Sequence, residues 1–199
     1  FNNIWIGTDN GMSMLSGLSF YSYTPLADIT QSGDGNCLHN IYRDSRGTMW
    51  MGGTDGLLRY DNYNGIYANM SWFRQNSSKT PLSHNRIRSV YEDADGDIWV
   101  ATDHGINWYD RKSGQFRNFI ISDKTGRYST AWAYDLVLDS RKRLWIAAYM
   151  GGVFVIDKRR LLYSHGTVIA DHHIADGKGK LSNIHVGQLN VDAKGNIWA

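Results

Sequence analysis

The chain has 199 residues, 42% of them hydrophobic, with 8 Trp, 12 Tyr and 6 Phe and a formal net charge of +2 at pH 7. A balance this close to neutral does not mark a nucleic-acid or polyanion binder, and no apolar run reaches the length of a membrane-spanning helix. The single cysteine, Cys37, excludes an internal disulfide, and 21 Gly against 2 Pro fits short strands joined by tight turns.

Read from the N-terminus, one short pattern returns. The segment Asn2-Asn3-Ile4-Trp5 is the tail of it; Asp44 opens DSRGTMW, Asp93 opens DADGDIW, Asp139 opens DSRKRLW and Asp192 opens DAKGNIW. The tryptophans Trp5, Trp50, Trp99, Trp145 and Trp198 are separated by 45, 49, 46 and 53 residues. The three acids of DADGD raise the question of a calcium loop. An EF-hand loop carries glycine sixth and a bidentate Glu twelfth, whereas here Gly96 is fourth and His104 twelfth. The other copies place Arg, Thr, Lys or Asn where Asp95 and Asp97 stand. A cation cage does not survive those exchanges. A tight turn does, because its first Asp can accept the turn's N–H groups. No metal and no cofactor are expected.

A period near 45 residues with several strand signals per unit specifies propeller blades or a related array. In the best-preserved copy, 87–92, 97–102, 106–110 and 115–120 read as short strands rich in β-branched and aromatic residues. The same order runs through 41–60 and 136–156, and nothing repeats with a sustained helical period. The expected fold is all-β: a β-propeller of about four blades of four-stranded antiparallel sheet. Its repeats lie around 1–35, 36–84, 85–130 and 131–184, with a partial one at 185–199. Both ends hold the same part of the repeat, and the chain opens at Phe1 without a methionine, so a fragment of a longer propeller is expected. Gly11, Gly47, Gly56, Gly96 and Gly105 fall where hairpin turns need positive φ. Trp50, Trp99 and Trp145 are expected in the wedges between blades, since one ligand would not need the same platform in every blade.

The stretches IRSVYEDADGDIWVATDHGINWYDRKSGQF, HNIYRDSRGTMWMGGTDGLLRYD and GQLNVDAKGNIW resemble the two-component regulator propeller repeat. The third full copy departs most, with Lys142 at the turn glycine and AAYMGG where GTDxG is usual. The resemblance implies the periplasmic sensor region of a hybrid two-component system of gut Bacteroidetes. In that family two seven-bladed propellers precede a small β-sandwich, a membrane helix and a histidine-kinase/response-regulator core. The family senses breakdown products of complex polysaccharides and switches on genes for their use. On that resemblance these are about four blades of one seven-bladed propeller, not themselves enzymatic. The implied partners are an oligosaccharide, the remaining blades, a second propeller and a second sensor in a homodimer; nucleic acid is not among them. Two alternatives stay open. Streptogramin-type lyases have related blades with a metal and a His/Glu constellation, for which His104 and His185 are the nearest candidates here. An interaction scaffold is the other.

If the innermost strand of each blade runs from top to bottom, the B–C turns and the loops leading into the inner strands share the top face. Aligning the repeats gives one column there of Cys37, Arg86, Trp132 and His185. A second column, two positions on, holds His39, Arg88, Tyr134 and Gly187. Between them Leu38, Ile87, Ala133 and Val186 form an apolar column, as a packed strand requires. The B–C turns add Asp9, Asn10, Asp55, Asp103, His104, Tyr149 and Met150. From these, Asp55, Arg86, Arg88, Asp103, His104, Trp132, Tyr149 and His185 are the candidate ligand-binding residues. Aromatic rings stack on the apolar face of a pyranose, and charged groups bond its hydroxyls or a carboxylate; Arg86 and Arg88 would suit a uronic or sulfated sugar. The tightest histidine group, Asp171-His172-His173 with Asp176, is a poor metal site, because neighbours on a strand face opposite sides. No G-x-S-x-G nucleophile motif or phosphate loop is present.

Overall fold

Each apolar run folds back on the next through a short turn, so successive strands pair antiparallel and the sheets grow one hairpin at a time. The computed structural model describes residues 3–199 apart from 10, 17, 24–36, 62–69, 78–80, 166 and 178–179. Strands β1 (Ile4–Thr8), β2 (Gly11–Ser16) and β3 (Ser19–Tyr23) form a three-stranded sheet. The second blade is β4 (Leu38–Arg43), β5 (Met49–Gly53), β6 (Leu57–Tyr60) and β7 (Met70–Phe73). The third is β8 (Ile87–Glu92), β9 (Ile98–Thr102), β10 (Gly105–Asp110) and β11 (Gln115–Phe119). After a short strand β12 (Ile121–Ser122) come β13 (Ala133–Leu138), β14 (Arg143–Ala148) and β15 (Gly152–Asp157) of the fourth blade. Helix α1 (Lys158–Leu162) and strand β16 (Val168–Ile169), which pairs parallel with β12, intervene before its outer strand β17 (Asp171–His173). A last hairpin joins β18 (Asn190–Val191) to β19 (Ile197–Trp198).

The cores lie between blades. Met12, Leu38, Met51 and Leu58 join the first two; Trp50, Phe73, Ile87, Val100 and Tyr109 join the second and third. Trp99, Ile106, Leu136, Ile146 and Phe154 join the third and fourth, and Val153, Val155, Val186 and Leu189 join the fourth to the last hairpin. Central strands are therefore covered on both faces, and β5 and β9 are buried at every residue. The outer strand β11 buries only Phe116 and Phe119 and leaves its other three residues exposed. Trp50 and Trp99 are fully buried in these wedges, each worth roughly 4–6 kcal/mol of apolar transfer.

The Asp and the Trp of the repeat are partners. Asp44 Oδ1 accepts the N–H groups of Arg46 and Thr48 at 3.0 and 2.9 Å, and its Oδ2 accepts Trp50 Nε1–H at 3.0 Å. Asp93, Asp139 and Asp192 repeat both halves of the arrangement, with Trp99 and Trp145 donating at 2.9 Å and Trp198 at 3.2 Å. One carboxylate thus closes the turn and aims the indole into the wedge, which is why these two residues persist while the rest of the turn varies. The turn glycine at Gly96 has φ 79°, and Lys142 holds the same left-handed conformation at φ 61°; its ammonium donates to Asp95 Oδ1 at 2.5 Å.

The acids of DADGD do converge, on a lysine. Lys158 Nζ lies 2.7 Å from Asp93, 2.9 Å from Asp95 and 2.6 Å from Asp97. Burial works to lower the lysine's pKa, but the three carboxylate bonds outweigh it and hold the pKa well above its ordinary value. The equivalent position in the third blade, Arg111, donates to Asp44 Oδ2 of the second at 3.0 Å. A cation following the third strand of one blade therefore locks onto the Asp–Trp turn of the blade before. Helix α1 departs from the all-strand expectation. Asp157 caps it by accepting Arg160 N–H at 2.8 Å, and it buries Leu161; five residues are too few to show a helical period.

Candidate functional site

The top-face residues of the second, third and fourth blades are aimed by a bulge in each inner strand. Pairing steps from Ile87↔Thr102 to Ser89↔Ala101, so Arg88 is an extra residue; Tyr134 is the extra residue between Ala133 and Asp135. The second blade bulges at His39; that side chain and Asn10 lie outside the described residues. A bulge leaves the extra residue unpaired and redirects its side chain. The flanking apolar column stays packed, with Leu38, Ile87, Ala133 and Val186 all at 6% exposure or less. Each B–C turn is then tied to the loop leading into its own blade. Asp103 N–H donates to Arg86 O at 3.3 Å and Tyr149 N–H to Trp132 O at 2.9 Å, so the candidates arrive as adjacent pairs.

Six of the eight candidates form one continuous strip. Arg88 grips Asp103 through two bonds, Nε at 2.5 Å and Nη2 at 2.9 Å, which raise the arginine's pKa further. Its guanidinium lies 4.4 Å from the Tyr134 ring of the next blade. Tyr134 stacks on Tyr149 with centroids 5.3 Å apart and planes 22° apart. Tyr149 in turn meets Trp132 at 5.6 Å and His185 at 4.8 Å. Arg86 Nε stands 3.8 Å from Asp103 with about half its side chain exposed (47%). Single exposed aromatics are common, but a contiguous exposed group of them marks a candidate binding surface; Trp132 is 49% exposed and Tyr149 37%.

Two candidates stand apart. Asp55 is bonded within its own blade, where Arg74 donates to its carboxylate at 3.1 Å and to its carbonyl at 2.9 Å. His104 lines a separate groove with Gln75, Ser83 and Asn118. Tyr134 joins the strip although only its alignment column marked it. Arg127 and Tyr128, which share a pocket with Trp132 and Tyr149, carried no repeat signal because they lie in an insertion before the fourth blade. A 3-10 turn at Thr130–Trp132, capped by Ser129, presents Trp132 there.

His172 and His173 do face opposite ways. His172 stacks on Phe154 at 4.4 Å and donates to Gly151 O, whereas His173 stacks on Trp145 at 5.8 Å. Among the described residues no group of His, Cys, Asp or Glu is arranged to hold a metal ion, and no helix is long and apolar enough to cross a membrane.

Comparison with known proteins places the repeat. Residues 81–104 match the family described as "Two component regulator propeller". That match spans β8 and β9 of the third blade. The chain superposes over 98% of its length on the extracellular domain of the hybrid two-component system BT4673 of B. thetaiotaomicron, with 31% identity and a TM-score of 0.79. A second structure of BT4673, described as a one-component system, matches with 39% identity, 98% coverage and the same 0.79. The extracellular domain of BT3049 from the same organism matches at 21% identity, 98% coverage and 0.75, a likeness of fold. The chain spans only 33%, 26% and 25% of those three structures. Virginiamycin B lyase of Staphylococcus aureus shares the fold alone, at 13% identity and 0.55 over 79% of this chain and 49% of the lyase. No curated protein matches the chain.

Proposed function

We propose that this chain is part of the periplasmic, ligand-sensing region of a hybrid two-component system, and that it binds an oligosaccharide released from a complex glycan. The observation that carries the sugar reading is the half-exposed strip of Trp132, Tyr149, Tyr134 and His185 on the face where blades meet, flanked by the Arg88–Asp103 pair. Such rings offer flat apolar area to a pyranose, and the charged pair offers directed donors and acceptors to its hydroxyls. The likeness to BT4673 supports the sensor role.

On this reading the chain binds without turnover. The ligand shifts a pre-existing equilibrium of the sensor, which a kinase elsewhere in the protein reads to control genes of polysaccharide use. The remaining blades, a second propeller and a second sensor in a homodimer complete the assembly. Thermal melting of the intact extracellular region against defined oligosaccharides tests it, because a ligand bound only by the folded state raises the melting temperature. A rise with one glycan class, abolished by Trp132→Ala, supports the reading; no rise with any glycan removes it.

A further inference from the structure

The strip carries more positive charge than it can neutralise. Beyond Trp132, a pocket of about 250 Å³ is lined by Arg127, Tyr128, Trp132, Tyr149 and Met150. Arg127 is exposed, its guanidinium 5.3 Å from the Tyr128 ring, and among the described residues no carboxylate pairs with it.

The acids nearby are spent. Asp123 accepts the Thr125 hydroxyl at 2.5 Å and Tyr128 N–H at 2.9 Å within its own turn. Asp135 accepts the N–H groups of Leu136 and Leu189, both at 2.9 Å. Asp103 is gripped by Arg88, which leaves Arg86 only the looser 3.8 Å contact.

We infer that the ligand is an acidic sugar, its carboxylate or sulfate taken by Arg127 beside the Trp132–Tyr149 rings, with Arg86 serving a second anionic group at the other end of the strip. The inference rests on the oligosaccharide reading above. A guanidinium presents a planar fork of donors that matches a carboxylate or sulfate edge, and a ring stacked on Trp132 brings its substituents to the pocket wall where Arg127 lies. A neutral sugar would leave both forks to water.

The test is calorimetric titration of the intact extracellular region with two matched pairs: trigalacturonate and its neutral methyl ester, and a sulfated disaccharide with its desulfated form. Wild type should bind the acidic member of one pair about ten- to a hundredfold more tightly than the neutral one, the range of a charge-assisted bond. Which pair shows the preference identifies carboxylate or sulfate. R127Q should erase most of that preference by weakening the acidic member far more than the neutral one, and R86Q should erase part of it. Neutral and acidic members bound equally, or R127Q and R86Q both without effect on the preference, would overturn the charge inference and leave the sugar reading standing. No binding to any of the four, or binding that Trp132→Ala does not weaken, would overturn both.

Discussion

Lys158 Nζ lies 2.7 Å from Asp93 Oδ2, at the point where the fourth blade meets the Asp–Trp turn of the third. The Asp93 side chain has no solvent exposure and the lysine's has 9%. A charge so placed depends on its counter-ion far more than a surface pair would.

Lys158→Met should therefore destabilise the protein by about 3–5 kcal/mol, because it leaves buried Asp93 uncompensated. Adding Asp93→Asn should recover part of the loss. Urea denaturation of the single and double variants measures both, and strict additivity would show that the pair is not coupled.

The Asp–Trp bond can be weighed separately from the packing. Trp99→Phe should cost about 1–2 kcal/mol, for a lost hydrogen bond and a smaller ring, and Trp99→Ala about 3–5 kcal/mol. Trp198, 63% exposed in this chain, should respond least to the same exchanges. Equal losses at both positions would contradict the wedge account.

Acid should unfold the protein from the turns outward. Hydrogen bonds from Thr125 and Asn196 hold Asp123 and Asp192 at about 2. At Asp44 and Asp139 burial pushes upward, but the indole and guanidinium bonds more than offset it, and both stay below the ordinary carboxylate value. A pKa depressed by folding gives stability that is present above the unfolded value near 4 and lost as pH falls through the folded one. The lysine works in the opposite sense: its pKa is raised, so its contribution is full below about 10.5 and lost only above that. Melting temperature should be flat from about pH 5 to 9 and fall steeply below about 4. Unchanged melting down to pH 2.5 would show that these carboxylates do not matter to folding.

Tyr149→Ala and Trp132→Ala should leave the melting temperature within a degree or two of wild type (~0.5 kcal/mol), since both side chains are substantially exposed. Each should weaken glycan binding at least about tenfold, as central aromatic anchors do. Tyr134→Ala should weaken both binding and stability, because it also removes the ring over which Arg88 lies. Titration and melting on the same samples separate the two effects.

Much of this architecture is legible in the sequence because a blade is built from local hairpins. Turn chemistry and alternation within a few residues predict 87–92 as a strand, and β8 is Ile87–Glu92. The buried column and the variable face follow from aligning repeats. The bulges were hidden, because an extra residue at Arg88 or Tyr134 leaves the local apolar pattern intact. So was the withdrawal of Asp55, which depends on Arg74 at the far end of its blade. Arg127 escaped because a position present in one repeat has no column to stand out from.

What the sequence by itself determined was the repeating unit: four short strands, their turns, the Asp and Trp of each blade, and the edge on which variable residues gather. Those features rest on interactions between near neighbours, which spacing encodes directly. Only the tertiary structure decided what fills the DADGD carboxylates, since Lys158 arrives from 65 residues beyond Asp93, and that Arg88 and Tyr134 meet across a blade junction. Contacts of that kind follow from the twist that sets one sheet against the next, and no local pattern records which side chains that twist brings together.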